Sequence, residues 1–156
     1  MKLNLGSGGT LLKSYINIDI QGPCDLKHDL RESLPYADGS VEEVWADDVI
    51  QHFSRAEWSR VKKDWVRVLQ PGGKMEIICR DFEHVLKEFL NCKDNSLKWG
   101  WRLQCIYAGQ DHEYDYFKNG FTYDKLVSDL KEEGMTNFER DLNDKELIHL
   151  ICYKPD

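Results

Sequence analysis

The chain has 156 residues, of which 41% are hydrophobic and 12% aromatic, and its formal net charge is −7. This length and composition predict one domain over residues 1–156 with a hydrophobic core, and they exclude a disordered chain. The negative charge argues against broad nucleic-acid binding, which needs a basic face, and favours a small-molecule substrate.

The first part of the chain alternates short apolar runs with turns, a pattern typical of a mainly parallel sheet. Four strands are predicted, the third of them weak, at 3–5, 15–20, 24–28 and 41–46. The segment 34–40 contains a proline and an Asp-Gly pair, and these turn markers predict a loop before the fourth strand.

The best-defined helix begins after Ser54, which forms a Ser-x-x-Glu capping box with Glu57. Its apolar stripe has helical spacing and comprises Trp58, Val61, Trp65 and Val68. Pro71-Gly72-Gly73 ends the helix, because proline cannot continue it and glycine accepts a left-handed turn. A fifth strand is predicted at 74–79.

Three further helical segments are predicted. Asp81 caps the first, whose apolar face comprises Phe82, Val85, Leu86, Phe89 and Leu90. The second covers residues 96–108. Thr122 opens the third, Gly134 stops it, and its apolar side comprises Tyr123, Leu126, Val127 and Leu130.

Two strands, at 135–139 and 146–153, close the chain as an antiparallel hairpin around a turn at 142–145. With the earlier elements they predict an α/β fold, a Rossmann-like three-layer sandwich. Its sheet is mainly parallel and seven-stranded, with an antiparallel C-terminal hairpin strand.

The cysteines are five in number, scattered, and without a C-x-x-C pair: Cys24, Cys79, Cys92, Cys105 and Cys152. This pattern predicts neither a zinc site nor a disulfide framework, and it favours a reducing, cytoplasmic location. No apolar run approaches the roughly 20 residues of a membrane span, and the start is too short for a signal peptide. We therefore expect no membrane association.

A glycine turn follows the first strand. In Gly6-Ser7-Gly8-Gly9 the main chain can approach a ligand, because glycine has no side chain to block it. Asp19 ends the second strand, where an acid can accept both ribose hydroxyls of a nucleoside. Leu11 stands where the third glycine of G-x-G-x-x-G would be, which disfavours a pyrophosphate. Each feature alone is also typical of a plain turn or a surface carboxylate, but their order and spacing favour a ligand.

These motifs, in this order, resemble those of class I S-adenosylmethionine-dependent methyltransferases, especially small type-11-like members. Residues 3–9 look like the first motif of that family, and 15–19 like its second strand with the ribose-binding acid. His28-Asp29-Leu30 looks like the third motif, whose acid or next backbone amide meets the adenine. Other segments resemble its fourth strand, its helix-end Leu-Gln-Pro-Gly-Gly motif and its last helix and hairpin, at 44–53, 67–73 and 120–155.

The resemblance implies S-adenosylmethionine as the cofactor. No metal is expected, because the sequence spacing of Asp47, Asp48, Asp111 and His112 does not support a divalent-ion site. The cofactor-binding residues that it implies are Asn4, Gly6, Ser7, Gly8, Asp19, Ile20, Asp29, Leu30 and Asp47. The chain departs from the family where only residues 10–14 separate the glycine turn from the second strand, so that the usual first helix is nearly absent. Residues 21–23 leave little room for a second helix.

Methyl transfer from a sulfonium needs mainly alignment and exclusion of water, because the cofactor brings its own electrophile. Asp48 and His52 are four residues apart and share a face if that turn is helical. His52 can then take a proton from an acceptor hydroxyl, with Asp48 orienting it. The alternative is that His52 is only a helix-entry residue. Asp47, at the carboxyl end of a strand, either meets a ligand or is a surface carboxylate.

A polar and aromatic cluster is a further candidate: Tyr107, Gln110, Asp111, His112, Tyr114, Tyr116 and Phe117. It predicts either a lid over the acceptor or an ordered surface loop with half-buried tyrosines.

Two functions therefore stand open. The first is a methyltransferase for a small-molecule or sugar-type acceptor, and the second is a non-catalytic S-adenosylmethionine-binding module that serves as a partner subunit. An NAD-dependent oxidoreductase is disfavoured by Leu11 and by the lack of a Tyr-x-x-x-Lys pair near the fifth strand. The thin pocket wall leaves a homo-oligomer open, since a neighbouring subunit can supply the missing wall.

Overall fold

A computed structural model describes residues 1–144 and 146–156. Lys145, in the predicted turn at 142–145, lies outside the described residues. The strands are β1 Lys2–Leu5, β2 Ile16–Asp19, β3 Leu26–Lys27, β4 Val41–Asp47, β5 Leu69–Arg80, β6 Thr136–Asp141 and β7 Leu147–Tyr153. The helices are α1 Arg55–Val68, α2 Phe82–Asn91, α3 Asn95–Leu97, α4 Leu103–Tyr107 and α5 Tyr123–Glu132. A 3₁₀ turn, Ile50–His52, follows β4, and a π-helical turn, Lys98–Arg102, joins α3 to α4.

The strands form one sheet in the order β3-β2-β1-β4-β5-β7-β6. The first five are parallel to one another, and β7 pairs antiparallel with both β5 and β6. The prediction of a mainly parallel, Rossmann-like seven-stranded sheet with an antiparallel hairpin strand is confirmed. The third strand is as weak as expected, with only two residues.

Local sequence signals fix the helix starts. Ser54 Oγ accepts from Glu57 N–H while the Glu57 carboxylate accepts from Ser54 N–H, so the predicted capping box is present. Asp81 and Thr122 cap α2 and α5 with their side chains, as predicted. The fifth strand differs from its predicted bounds of 74–79: β5 begins at Leu69 and continues through the Pro-Gly-Gly turn, because Leu69 already pairs with Val41.

The core lies on one face of the sheet. Strand register aligns Leu3, Val44, Met75 and Cys152 in a row across β1, β4, β5 and β7, and none of these side chains is exposed. Helices α1 and α5 cover this row with Trp58, Trp65, Leu126 and Leu130. The two helices are joined by hydrogen bonds from Trp58 Nε1 to Asp129 Oδ2, 3.1 Å, and from Lys62 Nζ to Asp129 O, 2.9 Å.

The opposite face lacks such helices. Right-handed crossovers place the helices of the two halves of such a sheet on opposite faces. Here the β1–β2 and β2–β3 connections, residues 6–15 and 20–25, contain no helix. The third layer of the predicted sandwich is therefore reduced to loops.

Two buried asparagines support the loop that replaces the first helix. Asn4 Nδ2 donates to Thr10 O and to Asn17 Oδ1, both at 2.9 Å, and Asn17 Oδ1 also accepts from Leu12 N at 2.8 Å. Since Asn4 and Asn17 are a register pair of β1 and β2, their side chains stand side by side beneath the loop. Side-chain amides thus satisfy loop backbone groups that a helix would have bonded internally.

The same face carries a row of charges around Glu43, whose side chain is only 8% exposed. Glu43 accepts from Tyr15 OH, Lys2 Nζ and Lys74 Nζ, each at 2.7 Å. Lys74 also pairs with Glu76 at 2.8 Å, and Glu76 contacts His149 Nε2 at 2.6 Å. Burial acts to raise the pKa of Glu43, but the three hydrogen bonds outweigh it and lower that pKa to about 2.

We expect the Glu43 cluster to make stability depend on pH. Because the folded pKa lies below the ordinary value of 4.5, the stabilisation is complete above pH 4.5 and is lost as the pH falls towards 2. Glu43→Gln should lower the free energy of unfolding by on the order of 3 kcal/mol at pH 7. The difference in the free energy of unfolding between Glu43→Gln and the unsubstituted chain should shrink below pH 4.5. Urea unfolding of both proteins at pH 7, 4 and 2.5 measures this difference.

Glu42→Gln is the matched control. Glu42 is exposed on the same strand and lies 4.0 Å from Lys2, so its loss should change stability by less than about 1 kcal/mol. Equal stability of the two variants at pH 7 would mean that the buried cluster makes no net contribution.

Candidate functional site

A cavity of about 600 Å³ opens at the carboxyl ends of β1, β2 and β4. Ligands of open α/β sheets bind at this edge. All the residues that the sequence singled out for cofactor binding or catalysis line this cavity: Asn4, Gly6, Ser7, Gly8, Asp19, Ile20, Asp29, Leu30, Asp47, Asp48 and His52. We call it the first cavity.

The glycine turn and the carboxylate at the end of β2 are in direct contact. Gly8 N–H donates to Asp19 Oδ2 at 2.8 Å, and Gln21 N–H donates to Asp19 Oδ1 at 2.8 Å. Gly6 N–H and Ser7 N–H both donate to Ile18 O, at 2.8 and 3.1 Å, which fixes the turn to the end of β2. Each Asp19 oxygen accepts one backbone hydrogen bond and retains capacity for another donor.

The structural constraints on the glycines of this turn differ from one position to the next. Gly6 has φ +69°, and a Cβ there would lie 2.3 Å from Val49 Cγ2, because the turn packs against the chain after β4. Gly8 has φ +51°, but a Cβ at Gly8 or Gly9 would meet nothing within 4 Å. The main chain at these two positions therefore faces open cavity.

Three polar atoms of the cavity lining are buried without a hydrogen-bond partner among the described residues: Ser7 Oγ, His28 Nε2 and His52 Nδ1. Buried polar groups are nearly always bonded, so these three atoms are available to a polar ligand or to water in the cavity. Sequence reasoning missed His28, whose only signal was its place beside the Asp29 motif.

Asn4 and Asp29 are engaged with the protein itself. Both amide hydrogens of Asn4 go to the loop and to Asn17, so Asn4 positions the turn. Arg31 Nη2 lies 2.6 Å from Asp29 Oδ2, and Arg31 Nε bonds both carboxylate oxygens. The hydrogen bonds from Arg31 lower the pKa of Asp29, so that this carboxyl stays ionised.

The prediction that Asp48 and His52 share a face depended on a helical turn over both residues, and Asp48 lies before the turn at 50–52 with φ +53°. The Asp48 carboxylate accepts from Gln51 Nε2, a residue of the 3₁₀ turn at 50–52. The His52 ring packs edge-on against Phe117, with centroids 4.9 Å apart. Desolvation, with the charge of Asp48, raises the pKa of Asp47.

Part of the polar and aromatic cluster at 107–117 lies beside the first cavity. His112, Tyr114 and Asp115 line the first cavity, and the Arg31 guanidinium lies over the Tyr114 ring, 5.7 Å from its centroid. The backbone has positive φ at Ala108 and Gln110. Lys118 N–H and Asn119 N–H donate to Gln51 O at 2.8 and 3.2 Å, which ties the far end of the segment to the 3₁₀ turn.

Within residues 1–144 and 146–156, no group of three or more His, Cys, Asp or Glu side chains could hold a metal ion. In the same residues no helix is long and apolar enough to cross a membrane.

The sequence model of the methyltransferase domain family matches residues 12–77, from the loop before β2 to the middle of β5. A search of the curated proteins gives no match.

Solved structures share the whole fold. An S-adenosylmethionine-dependent methyltransferase of Thermotoga maritima, described as a possible histamine N-methyltransferase, has a TM-score of 0.69 and 16% identity over 98% of this chain and 81% of its own. The 1,6-didemethyltoxoflavin-N1-methyltransferase of Burkholderia thailandensis was solved with S-adenosylhomocysteine. It has a TM-score of 0.62 and 11% identity, and the match covers 99% of this chain and 71% of that enzyme. A possible exported protein of Bordetella parapertussis has a TM-score of 0.66 and 14% identity over 99% of this chain. The chain spans only 61% of that protein.

We expect Gly6→Ala to destabilise the protein by about 2–4 kcal/mol, from a left-handed backbone and from overpacking against Val49. Gly9→Ala is the matched control, since its Cβ would meet nothing within 4 Å. Thermal unfolding compares them, and Gly6→Ala combined with Val49→Ala should recover part of the loss. Equal melting temperatures for the two single variants would contradict the packing at Gly6.

Proposed function

We propose that this chain is a class I S-adenosylmethionine-dependent methyltransferase, which binds S-adenosylmethionine in the first cavity and transfers its methyl group to a small-molecule or sugar-type acceptor. The observation that carries the proposal is the contact between Gly8 N–H and the Asp19 carboxylate at 2.8 Å on the rim of that cavity. It joins a close main-chain approach to a ribose-binding acid, which are the two parts that a nucleoside needs.

The Asp19 carboxylate is the proposed ribose site. Its oxygens are oriented by Gly8 and Gln21, so they are already in place to accept two hydroxyl hydrogens. The open main chain at Gly8 and Gly9 would face the amino-acid part of the cofactor, and Ser7 Oγ, which has no hydrogen-bond partner among the described residues, is a nearby polar group.

Ile20 and Leu30 are the proposed walls for the adenine, since both line the cavity and offer apolar surface. Asp29, locked by Arg31, fixes the backbone that leads into Leu30. The adenine would thus be held by shape and by backbone groups.

The acceptor side of the site is the mouth between Asp47, Asp48 and His52. When bound, the cofactor supplies an electrophilic methyl group on a sulfonium. The protein must hold the acceptor in line with that group and keep water away. His52 is the proposed proton acceptor: its Nδ1 has no partner among the described residues, and Phe117 fixes the ring plane.

A methyltransferase fits the site better than a non-catalytic binding module. A second, smaller cavity adjoins the first and shares Asp48, His52 and Asp115 with it. A module that only holds the cofactor needs no such space, whereas an acceptor does.

Cofactor binding is tested by thermal shift. S-adenosylmethionine and S-adenosylhomocysteine at 100 times their Kd should each raise the melting temperature by roughly 5–10 °C, and NAD should not. Asp19→Ala should abolish the shift, and Asp19→Asn should reduce it because the charge for the ribose hydroxyls is lost. Glu139→Gln, an exposed acid on β6, is the control. A full shift in Asp19→Ala would remove the ribose assignment.

Turnover is tested with labelled cofactor and a panel of small-molecule and sugar acceptors. His52→Ala should lower kcat by roughly 10²–10⁴-fold, the range of general acid–base catalysis, while the thermal shift with S-adenosylhomocysteine stays. His84→Ala, on α2 and outside both cavities, should leave kcat unchanged. Full activity of His52→Ala would exclude the histidine as the base. Cofactor binding without transfer to any acceptor would favour the binding module.

A further inference from the structure

The second cavity, of about 180 Å³, lies between the end of β5 and the segment 101–117. It adjoins the first cavity at Asp48, His52 and Asp115, which line both. A molecule in it would have one end at the place where the methyl group is presented, an inference that rests on the proposed function. The volume is below the 300–1,000 Å³ of ordinary ligand pockets, so the acceptor that enters must be small.

Arg80 is the positive charge of this cavity. Its guanidinium lies over the Trp101 ring, 5.2 Å from the ring centroid. Arg80 is half-buried and has no carboxylate partner among the described residues. By contrast, Arg31, Arg67 and Arg102, the other half-buried arginines, each pair with a carboxylate. A partly desolvated guanidinium with only an aromatic face beside it favours an anion brought by a ligand.

The junction with the first cavity is negative. Asp48 and Asp115 line it, and neither forms an ion pair with any described residue. Asp48 accepts from Gln51 Nε2, and Asp115 Oδ2 accepts from Asp111 N–H at 3.2 Å, so both carboxylates are oriented but not neutralised. The cavity is therefore positive at Arg80 and negative at the junction.

We propose that the methyl acceptor is a small amine bearing a carboxylate or phosphate group. Arg80 binds this anion while Trp101 holds the guanidinium in place, and the amine nitrogen lies beside Asp48 and Asp115. The two ends of the cavity thus recognise the two charges of one zwitterion and set its direction.

With the anion at Arg80 and the nitrogen at the junction, the acceptor is oriented for methyl transfer to its nitrogen. The acceptor arrives as an ammonium, which the junction carboxylates attract, and it loses one proton to solvent by way of Asp48 or His52. The freed nitrogen lone pair forms the N–CH₃ bond as the S–CH₃ bond breaks, and sulfur keeps that electron pair as a neutral thioether. The sulfonium charge passes to the methylated ammonium.

The test compares acceptors that differ only in the anion, on the intact chain. One set pairs amino acids with their carboxamides, and a second pairs O-phosphoethanolamine with ethanolamine. In one of the sets, methyl transfer to the anionic member should be at least about tenfold faster than to the neutral member. The reason is that a hydrogen bond to a charged group is stronger than a neutral one by a free energy that corresponds to about a tenfold change in rate. The set that responds distinguishes a carboxylate from a phosphate.

Arg80→Gln should lower kcat/KM for the anionic acceptor by roughly 10- to 100-fold and leave that for its neutral partner unchanged. Arg80→Lys keeps the charge but loses the planar guanidinium, so its kcat/KM for the anionic acceptor should lie between that of the unsubstituted chain and that of Arg80→Gln. Arg60→Gln, an exposed arginine on α1, should behave as the unsubstituted chain. The thermal shift with S-adenosylhomocysteine should be the same in all four proteins.

If the protein binds S-adenosylhomocysteine but reacts equally with neutral and anionic members, or with no anionic member, the acceptor assignment is wrong and cofactor binding stands. An equal loss on both members in Arg80→Gln would likewise overturn it. Absence of the thermal shift in the unsubstituted chain would overturn the proposed function itself.

Discussion

The site depends on how β1 and β2 end beside each other. Their register pairs Leu5 with Ile18, so the glycine turn after β1 and Asp19 at the end of β2 must lie together. Hydrogen bonds from Gly6 N–H and Ser7 N–H to Ile18 O, and from Gly8 N–H to the Asp19 carboxylate, then hold the turn against the end of β2. In larger Rossmann-like folds a helix packed on the sheet helps to hold this turn. Here the buried pair Asn4 and Asn17 does so by hydrogen bonding, which is directional and so specifies one loop conformation.

The face without helices is stabilised by charge instead of apolar packing. Glu43 and Glu76, each with a side chain 8% exposed, lie between Lys2, Lys74 and His149. Carboxylates in such surroundings must be paired, since an unpaired buried charge is costly. The paired row keeps this face of the sheet polar, and the hydrophobic core lies on the opposite face, between the strands and the helices α1 and α5.

What the sequence predicted, and what it did not, follows from the range of each interaction. The Ser54–Glu57 capping box, the caps at Asp81 and Thr122 and the glycine turn are local, and their residues lie within a few positions of one another. The predicted site residues that line the first cavity came from the family resemblance, and strand order agrees with it, because parallel strands end at one edge. The contact between Gly6 and Val49 and the place of Arg80 were not visible, since each depends on how distant segments meet. The bond from Gln51 to Asp48 was not visible either, since it depends on the left-handed backbone at Asp48.

The loop that follows Gly9 in place of a helix also affects how far solvent can reach a ligand in the first cavity. Apart from the adjacent residues, no atom of the described residues lies within 4 Å of where a Cβ at Gly8 or Gly9 would be, so the main chain there is open to solvent. On the other side, the segment 107–117 touches Arg31 through Tyr114 by a cation–π contact alone, which is a weak restraint. A ligand in the first cavity would therefore be exposed to solvent on the side of the glycine turn, because the connection at residues 6–15 contains no helix that could cover it.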